Sequence, residues 1–439
     1  MGSIPTLTGA AEVHVSERAM LRKLFDAAID AVSAARVMPR TLPAPQLGEV
    51  ALIAVGKAAA AMADVALDRI KPPSAVLVVT RHGHATEKLA SRSGVELIEA
   101  GHPYPDAQSI RAADRALQIA RGLEAQDHLF VLLSGGGSAL LAAPAPGITL
   151  ADKQATTRAL LESGATIAEI NCVRKHLSRI KGGRLALAAG PAHVTTLIIS
   201  DVPGDDPSFV SSGPTVADHT TLEMAREILL KYGIPTPTAV LAALEDPANE
   251  TPPADSLGLA GVETVIVGRA RDALMMAGRE AAAAGYAVMD LGDQLQAEAR
   301  HLGASHAALA RRLSVDGKPR AIISGGETTV AVHNPQGKGG RNLEYLLGLA
   351  IALDGAPGIS ALACDTDGID GTEDAAGAVV VEDTLERARK FGLDPAEHLS
   401  TNNAYSFFEA LGDLVVTGPT RTNVNDFRVI LINGAAAST

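Results

Sequence analysis

The 439-residue chain has no tryptophan and few other aromatics, seven Phe and five Tyr, or 3% in all. Its core must therefore be made of Ala, Val, Ile and Leu, which suit buried parallel strands packed beneath helices. Cysteine is scarce too: Cys172 and Cys364 cannot make a disulfide scaffold and match no metal-ligand spacing. They read as reduced, buried thiols of a cytoplasmic protein. Positive charge is in deficit, with 38 Lys and Arg against 50 Asp and Glu, a formal net charge of -12. Nucleic-acid binders show a basic face and often stacking aromatics, so no nucleic-acid partner is expected. No uncharged apolar run nears the roughly 18 to 20 residues of a membrane span, and no secretory signal opens the chain. Met1-Gly2-Ser3-Ile4-Pro5-Thr6 does fit the loose myristoylation pattern, which also matches many unmodified proteins.

What is present is globular: 47% hydrophobic and 20% charged residues. The length exceeds one ordinary core, so two domains are expected. Glu12 to Met38 predicts an amphipathic helix, followed by a Pro-rich connector through Pro45. Strands are expected at Val50–Val55, Ala75–Thr80, Leu129–Leu133 and Thr195–Ile199, with helices after Lys57 and around Ser109–Leu123. This alternation means βαβ units and a mostly parallel sheet. Glu245 to Gly258 is rich in Pro, Asp, Glu and Ser and reads as a linker. Beyond it, Glu263–Val267, Arg320–Ile323, Ile359–Ala363 and Phe427–Ile432 predict a second set of strands. The expected domains are 1–250 and 251–439, with the last segment free to return to the first.

Chemistry gathers at the strand ends. Ser134-Gly135-Gly136-Gly137-Ser138 precedes a helical stretch, and its glycines let backbone N–H groups approach an anion. It is no standard P-loop, because Gly56-Lys57 lacks the first glycine and has Ala58 where Ser or Thr should stand. Nor is it a dinucleotide fingerprint: Gly135-x-Gly137 reaches Leu140, and Gly337-x-Gly339 reaches Asn342, where a third glycine is required. A nucleophile elbow fails as well, since Gly136-Gly137-Ser138-Ala139 is followed by Leu140. Lys57, where a strand gives way to a helix, offers a point charge for a phosphate or carboxylate. Arg341 begins a helix, against the dipole preference, a conflict that an anionic ligand would resolve.

Two acidic loops follow strands. Cys364 to Gly371 holds Asp365, Asp367 and Asp370; a second loop holds Asp201, Asp205 and Asp206. Carboxylates this close repel unless a cation or proton intervenes, and magnesium needs only one or two of them with waters and phosphate oxygens. The strongest basic run is Asn171 to Arg184; on one helix, Arg174, Ser178 and Lys181 would share a face and steer an anion. His82, His84 and His102 form no metal pattern and read as structural. Leu132 to Gly136 echoes Ile322 to Gly326, each an apolar strand running into Ser-Gly-Gly.

Together the strings LLSGGGSALL, EINCVRKHLSRIKGGRLA, ISDVPGDDPSFVSSGPT, ISGGETTV, GKGGRNLE, DTDGIDGTEDAAGA and TGPTRTNVNDF resemble the glycerate 2-kinase family, also called class II glycerate kinases or the MOFRL family. The resemblance runs from about Glu17 to Leu431. It implies two α/β domains, the first a Rossmann-like parallel sheet with helices on both faces and the second of MOFRL type, with the active site in a cleft between them. It further implies phosphorylation of D-glycerate by ATP and magnesium, typically giving 2-phosphoglycerate. Family members place a Lys and an Arg in that cleft, and these match Lys57 and Arg341. The chain departs from the family at Arg421, where Gly usually follows GPT, and at Leu343, where Gln is common.

The expected roles follow. ATP phosphates lie on Ser134, Gly135, Gly136, Gly137 and Ser138, and magnesium is held by Asp367 or Asp201. Either Asp accepts the hydroxyl proton, while Arg341 or the basic run, through Arg174 and Lys181, holds glycerate, with Ser324 and Glu327 as further contacts. Lys57 neutralises charge in the transition state. The rivals are an NAD(P)H-dependent hydroxypyruvate reductase and a non-catalytic binder of anionic metabolites; self-association is left open.

Overall fold

Short aliphatic runs of six or seven residues, each released into a glycine-bearing or polar turn, become strands that are covered on both faces. The computed structural model describes residues 7–43, 47–253 and 255–433; the Met1–Thr6 acylation pattern lies outside them. The first sheet comprises β1 (Val50–Val55), β2 (Ala75–Arg81), β3 (Glu96–Ala100), β4 (His128–Leu133), β5 (His193–Ile199) and β6 (Val262–Gly268). Its order is β3-β2-β1-β4-β5-β6, and every pairing is parallel. β1 and β4 are buried at every position. The Ala-rich helix Ala59–Leu67 packs on β1 and β2, because small side chains let a helix approach a sheet closely. In this doubly wound order the chain reverses direction between β1 and β4, and ligands of such sheets bind beyond the strand C-termini at that switch point.

The second sheet comprises β7 (Ala287–Asp290), β8 (Arg320–Gly326), β9 (Ile359–Asp365), β10 (Gly377–Val380), β11 (Leu414–Val415) and β12 (Asp426–Ile432), in the order β11-β10-β9-β12-β8-β7. It is mixed. β12 lies at the centre, antiparallel to both β8 and β9, and all seven of its residues are buried. The helices Ala299–Ser314 and Arg341–Leu353 cover it around an aliphatic and aromatic core that includes Tyr345, Phe407 and Phe408.

Two compact units result. One is Val37–Gly268; the other joins the chain up to Arg36 with the chain from Arg269 onward. This differs from a cut at residue 250 in two respects. Val262–Gly268, expected to open the second set of strands, is the sixth strand of the first sheet, paired with β5. The stretch read as a linker folds into that unit: Asn249 and Thr251 are buried, and Glu250 accepts from His176 at 2.9 Å. In addition, it is the N-terminal segment that leaves its neighbours in sequence. The helix Leu7–Ala31 is held to the second sheet by Phe25 against Phe427, ring centroids 5.8 Å apart, and by Arg18 with Asp413 at 2.8 Å. β3 was missed because Glu96 and Glu99 break its apolar pattern, as fits an edge strand. Among the described residues no helix is long and apolar enough to cross a membrane.

Candidate functional site

In the Val37–Gly268 unit, three neighbouring parallel strands deliver the expected residues to one sheet edge. Gly56-Lys57 leaves β1, Ser134 to Ser138 leaves β4, and Asp201 follows β5. The first two turns interlock. Lys57 N donates to Gly135 O at 2.9 Å, and Ala58 N donates to Ser134 Oγ at 2.9 Å. Gly56, at φ +129, is where the turns touch: a Cβ there would stand 2.2 Å from Ser134 Oγ. Ser134 is thus buried and braces the turn, with its carbonyl taken by Ser211 Oγ at 3.1 Å. Gly136, at φ +85, has His102 and Lys57 as neighbours, with a Cβ reaching His102 Nε2 at 3.2 Å and Lys57 Cγ at 3.4 Å. The helix expected behind this loop is a single turn, Gly137–Leu140, so any anion there relies on backbone N–H groups and side chains more than on a helix dipole.

Cations converge on the last residue of this loop. Lys181 Nζ donates to Ser138 O at 2.8 Å and to Ser138 Oγ at 3.1 Å, and an Arg174 guanidinium nitrogen donates to the same hydroxyl. Ser212 Oγ is 2.8 Å from Ser138 Oγ. Arg174 lies in the last turn of the helix Ile167–His176, but Lys181 lies past it in a turn, so the expected shared helical face does not exist; both side chains nevertheless meet at Ser138 Oγ. Lys153 stands nearby on the helix Leu150–Glu162, its Nζ donating to Leu177 O at 2.9 Å and Arg174 O at 3.3 Å. Among the described residues, no carboxylate pairs with Lys153, Arg174 or Lys181. Burial, then the neighbouring cations, pushes both lysines well below the usual ammonium range, and burial lowers Arg174. By contrast, Lys175 in the same run is paired with buried Asp218 at 3.1 Å. A pocket of about 240 Å³ opens beside Ser138, Lys153 and Arg174.

The other unit builds an acidic site around one arginine. Arg341 begins the helix Arg341–Leu353, and the antiparallel pair β9 and β12 brings Asp365 opposite Asp426 at its side. Arg341 Nε donates to Asp426 at 2.6 Å and its terminal nitrogen to Asp365 at 2.8 Å, while Glu327, half exposed, stands 3.6 Å away. Burial works against the guanidinium charge, but Asp426, Asp365 and Glu327 outweigh it and raise its pKa. The dipole conflict at this helix start is resolved by the protein's own carboxylate: Asp370 accepts from Leu343 N at 2.9 Å and Asn342 N at 3.1 Å. Burial nevertheless pushes Asp370 up to about 6. Asp367 is buried, and its Oδ1 accepts from Ile369 N at 2.8 Å within its own loop. Ser324 lies inside β8, buried and opposite Arg428. The Ser-Gly-Gly echo is therefore one of sequence only: after β4 it makes a turn, whereas here Gly325 and Gly326 continue the strand. No three His, Cys, Asp or Glu side chains converge as a metal centre among the described residues.

Reasoning from the sequence overlooked Lys153, Ser211, Ser212, Asp426 and Arg428; His102, read as structural, stands beside Gly136. Ser211 and Ser212 carry a signal only in structure, adjacent left-handed residues at φ 53 and 60, a strained conformation that clusters at functional sites. Asp426 is the last polar residue of the string TGPTRTNVNDF, and its position at the head of an apolar run was the available clue.

The chain matches the domain of unknown function DUF4147 over residues 20–245 and the MOFRL family over residues 320–426. It is 50% identical over 425 residues to a putative hydroxypyruvate reductase of Agrobacterium vitis, covering 95% of each chain. It is 40% identical over 409 residues to the D-glycerate 2-kinase of Thermotoga maritima, covering 92% of this chain and 95% of that one. The crystal structure of a Thermotoga maritima glycerate kinase superposes with a TM-score of 0.84 at 39% identity, across 95% of this chain and 99% of that one. With such identity over almost the whole of both proteins, the chain belongs to the glycerate 2-kinase family, with the MOFRL domain in its C-terminal part.

Proposed function

We propose that the chain transfers the terminal phosphoryl group of ATP to the C2 hydroxyl of D-glycerate, with magnesium, giving 2-phosphoglycerate. The carrying observation is the set of buried cations at Ser138, which no carboxylate balances among the described residues, at the switch-point edge of a parallel sheet in a chain of net charge -12. Such a site suits an anion of high charge density. Phosphoryl transfer asks a protein mainly for positioning and charge stabilisation. Lys57 supplies a point charge from the end of β1. Gly136, Gly137 and Ser138 offer N–H groups and a hydroxyl, while Ser134 and Gly135 hold the turn. Arg174 and Lys181 neutralise phosphate or glycerate carboxylate.

Asp201 would hold magnesium, which would supply positive charge to offset that of the phosphates. The residues fit it, since one or two carboxylates suffice and Asp201 is half-buried at the same sheet edge. Asp201 also has the position of a proton acceptor there. Asp367, fastened to its own loop, suits a supporting role better. Arg341 is already neutralised by Asp365 and Asp426, so we assign it to ordering the acidic site rather than to holding free carboxylate. Glu327, half exposed beside it, is the group best able to meet substrate hydroxyls; Ser324 can do so only through the buried strand.

The Agrobacterium vitis relative's name favours hydroxypyruvate reduction as a second reading. The turn after β1 opposes it: Gly56 is followed by Lys57, Ala58, Ala59, Ala60 and Ala61, without the glycines that let a backbone approach a dinucleotide pyrophosphate. A coupled assay decides. ATP consumption should require both glycerate and magnesium, phosphorus NMR should show a C2 ester, and Lys57→Ala should lower turnover by about 10²–10³. Oxidation of NADH with hydroxypyruvate and no glycerate-dependent ATP consumption would overturn the proposal.

A further inference from the structure

The pocket beside Ser138 has two unlike ends. Its deep end is the cationic group just described. The rest is mostly apolar, walled by Pro103, Tyr104, Pro105, Ala139, Ala142 and Leu161, with Gln154, Thr157 and the exposed Arg158 on the helix Leu150–Glu162. Tyr104 and Leu161 are 67% and 60% exposed, large apolar groups left at the rim of a single cavity. Among the described residues the Tyr104 ring meets no other ring. Gln154 Nε2 is committed to Pro105 O at 3.0 Å, so its Oε1, which takes no donor among the described residues, is an acceptor for an exocyclic amino group. At about 240 Å³ the cavity is smaller than the roughly 300–1,000 Å³ usual for whole ligands, large enough for one part of a molecule whose charged remainder lies elsewhere.

We infer that this pocket receives the base and ribose of the nucleotide, stacked on Tyr104, with the phosphates leading out along Ser138 and Arg174. A ligand with a flat apolar ring at one end and several negative charges at the other matches both ends at once. A small hydroxy acid matches only the cationic end and would leave the Pro-Tyr-Pro wall uncovered. Lys153, which lines the pocket and whose ammonium group burial and neighbouring cations disfavour, would recover charge beside phosphate. The inference rests on the proposed use of a nucleotide and adds where its uncharged part sits.

Calorimetric titration with adenosine and with magnesium tripolyphosphate separates the two ends. Adenosine should bind the wild type, lose about tenfold in affinity with Tyr104→Ala, the usual loss for a base-stacking ring, and lose more with Thr157→Phe, which fills the cavity. Tripolyphosphate should stay within about twofold in both and weaken with Arg174→Met. Tyr104 is exposed, so its variant should melt with the wild type and keep the test valid even if Thr157→Phe does not fold. Adenosine affinity unchanged in Tyr104→Ala, or adenosine and tripolyphosphate weakening in step, overturns the inference. No turnover is needed: an active kinase with unchanged adenosine binding in Tyr104→Ala sinks the base pocket alone. An inactive protein that binds adenosine through Tyr104 supports the pocket and sinks the proposed reaction alone.

Discussion

Replacing Asp426 by Asn tests whether the acidic site is held by charge or by shape. The carboxylate is fully buried and accepts from Arg341 Nε at 2.6 Å, Asn342 Nδ2 at 2.8 Å and Thr328 N at 3.3 Å, besides pairing with Arg428. The amide keeps the volume and loses the charge. Arg341 retains Asp365 at 2.8 Å, but Arg428, 1% exposed, loses its carboxylate partner. Removing one partner of a buried pair costs about 3–5 kcal/mol, because an uncompensated charge is left behind. Asp426→Asn should lose that much in urea or thermal unfolding of the unit that contains β12. Arg428→Met on top of it removes the stranded charge and keeps a chain to lie against Tyr345, so the double variant should be more stable than the single one. The pH dependence has a definite sign. Burial opposes the Asp426 charge, but Arg341 and Arg428 prevail and hold its folded pKa below the ordinary 3.8. Its contribution is therefore complete above pH 4 and fades only as the pH falls through the lower folded value. A loss below about 1 kcal/mol in the single variant, or a double variant less stable than the single, would refute the charge argument.

His306 is buried, with Nδ1 2.8 Å from the Tyr345 hydroxyl, and burial, then Arg428, lowers its pKa from 6.5 to about 4. Between those values the unfolded chain binds the extra proton, so stability should drop by about 3 kcal/mol as the pH falls from 6.5 to 4; unfolding at stepped pH should show a flatter slope in His306→Gln. Arg421 holds φ +59 and keeps a buried Nε without a partner, so Arg421→Gly should raise stability by about 1 kcal/mol, read as a higher melting temperature. Gly56→Ala should cost at least about 2 kcal/mol and depress turnover, since its Cβ must displace Ser134 Oγ and break the hold on Ala58 N; unaltered melting and activity would show that the interlocked turns have slack.

The longer strands whose two faces are both buried were the readable part, while the four-residue β10, buried throughout, was not seen. Val50–Val55 and Leu129–Leu133 are continuous aliphatic runs, and each appears within a residue of where the pattern puts it. Two edge strands hid, because their residues answer to solvent: β3 carries Glu96 and Glu99, and β7 is mostly exposed, whereas the edge strand β6 showed as an aliphatic run. Turn chemistry was legible as glycine density, and Gly136 and Gly137 do stand beside Lys57 and Ser211. Partnership was not legible. Arg341 looked like a cation awaiting an anion, yet Asp426, 85 residues away in sequence, already meets it. Lys153 drew no attention in the sequence, and only the fold brings its ammonium beside Arg174 and next to the pocket. Long-range pairing is set by strand order, and β12 entering the centre of a mixed sheet from the end of the chain has no local signature.

That central position of β12 sets a timetable for the growing chain. A ribosome releases the helix Leu7–Ala31 long before its partners Asp413 and Phe427. The Val37–Gly268 unit holds all six strands of its own sheet and can close while the remainder is still being synthesised. The helix Leu7–Ala31 can meanwhile dock on the helix Ala270–Ala283, where Lys23 pairs with Glu280 at 2.9 Å, but the face that Phe427 covers must wait. The seam between β8 and β9 stays open until Asp426 to Ile432 arrives, so a nascent chain halted shortly before Asp426 would carry one finished unit and one with two unsatisfied strand edges, the kind of species that chaperones retain.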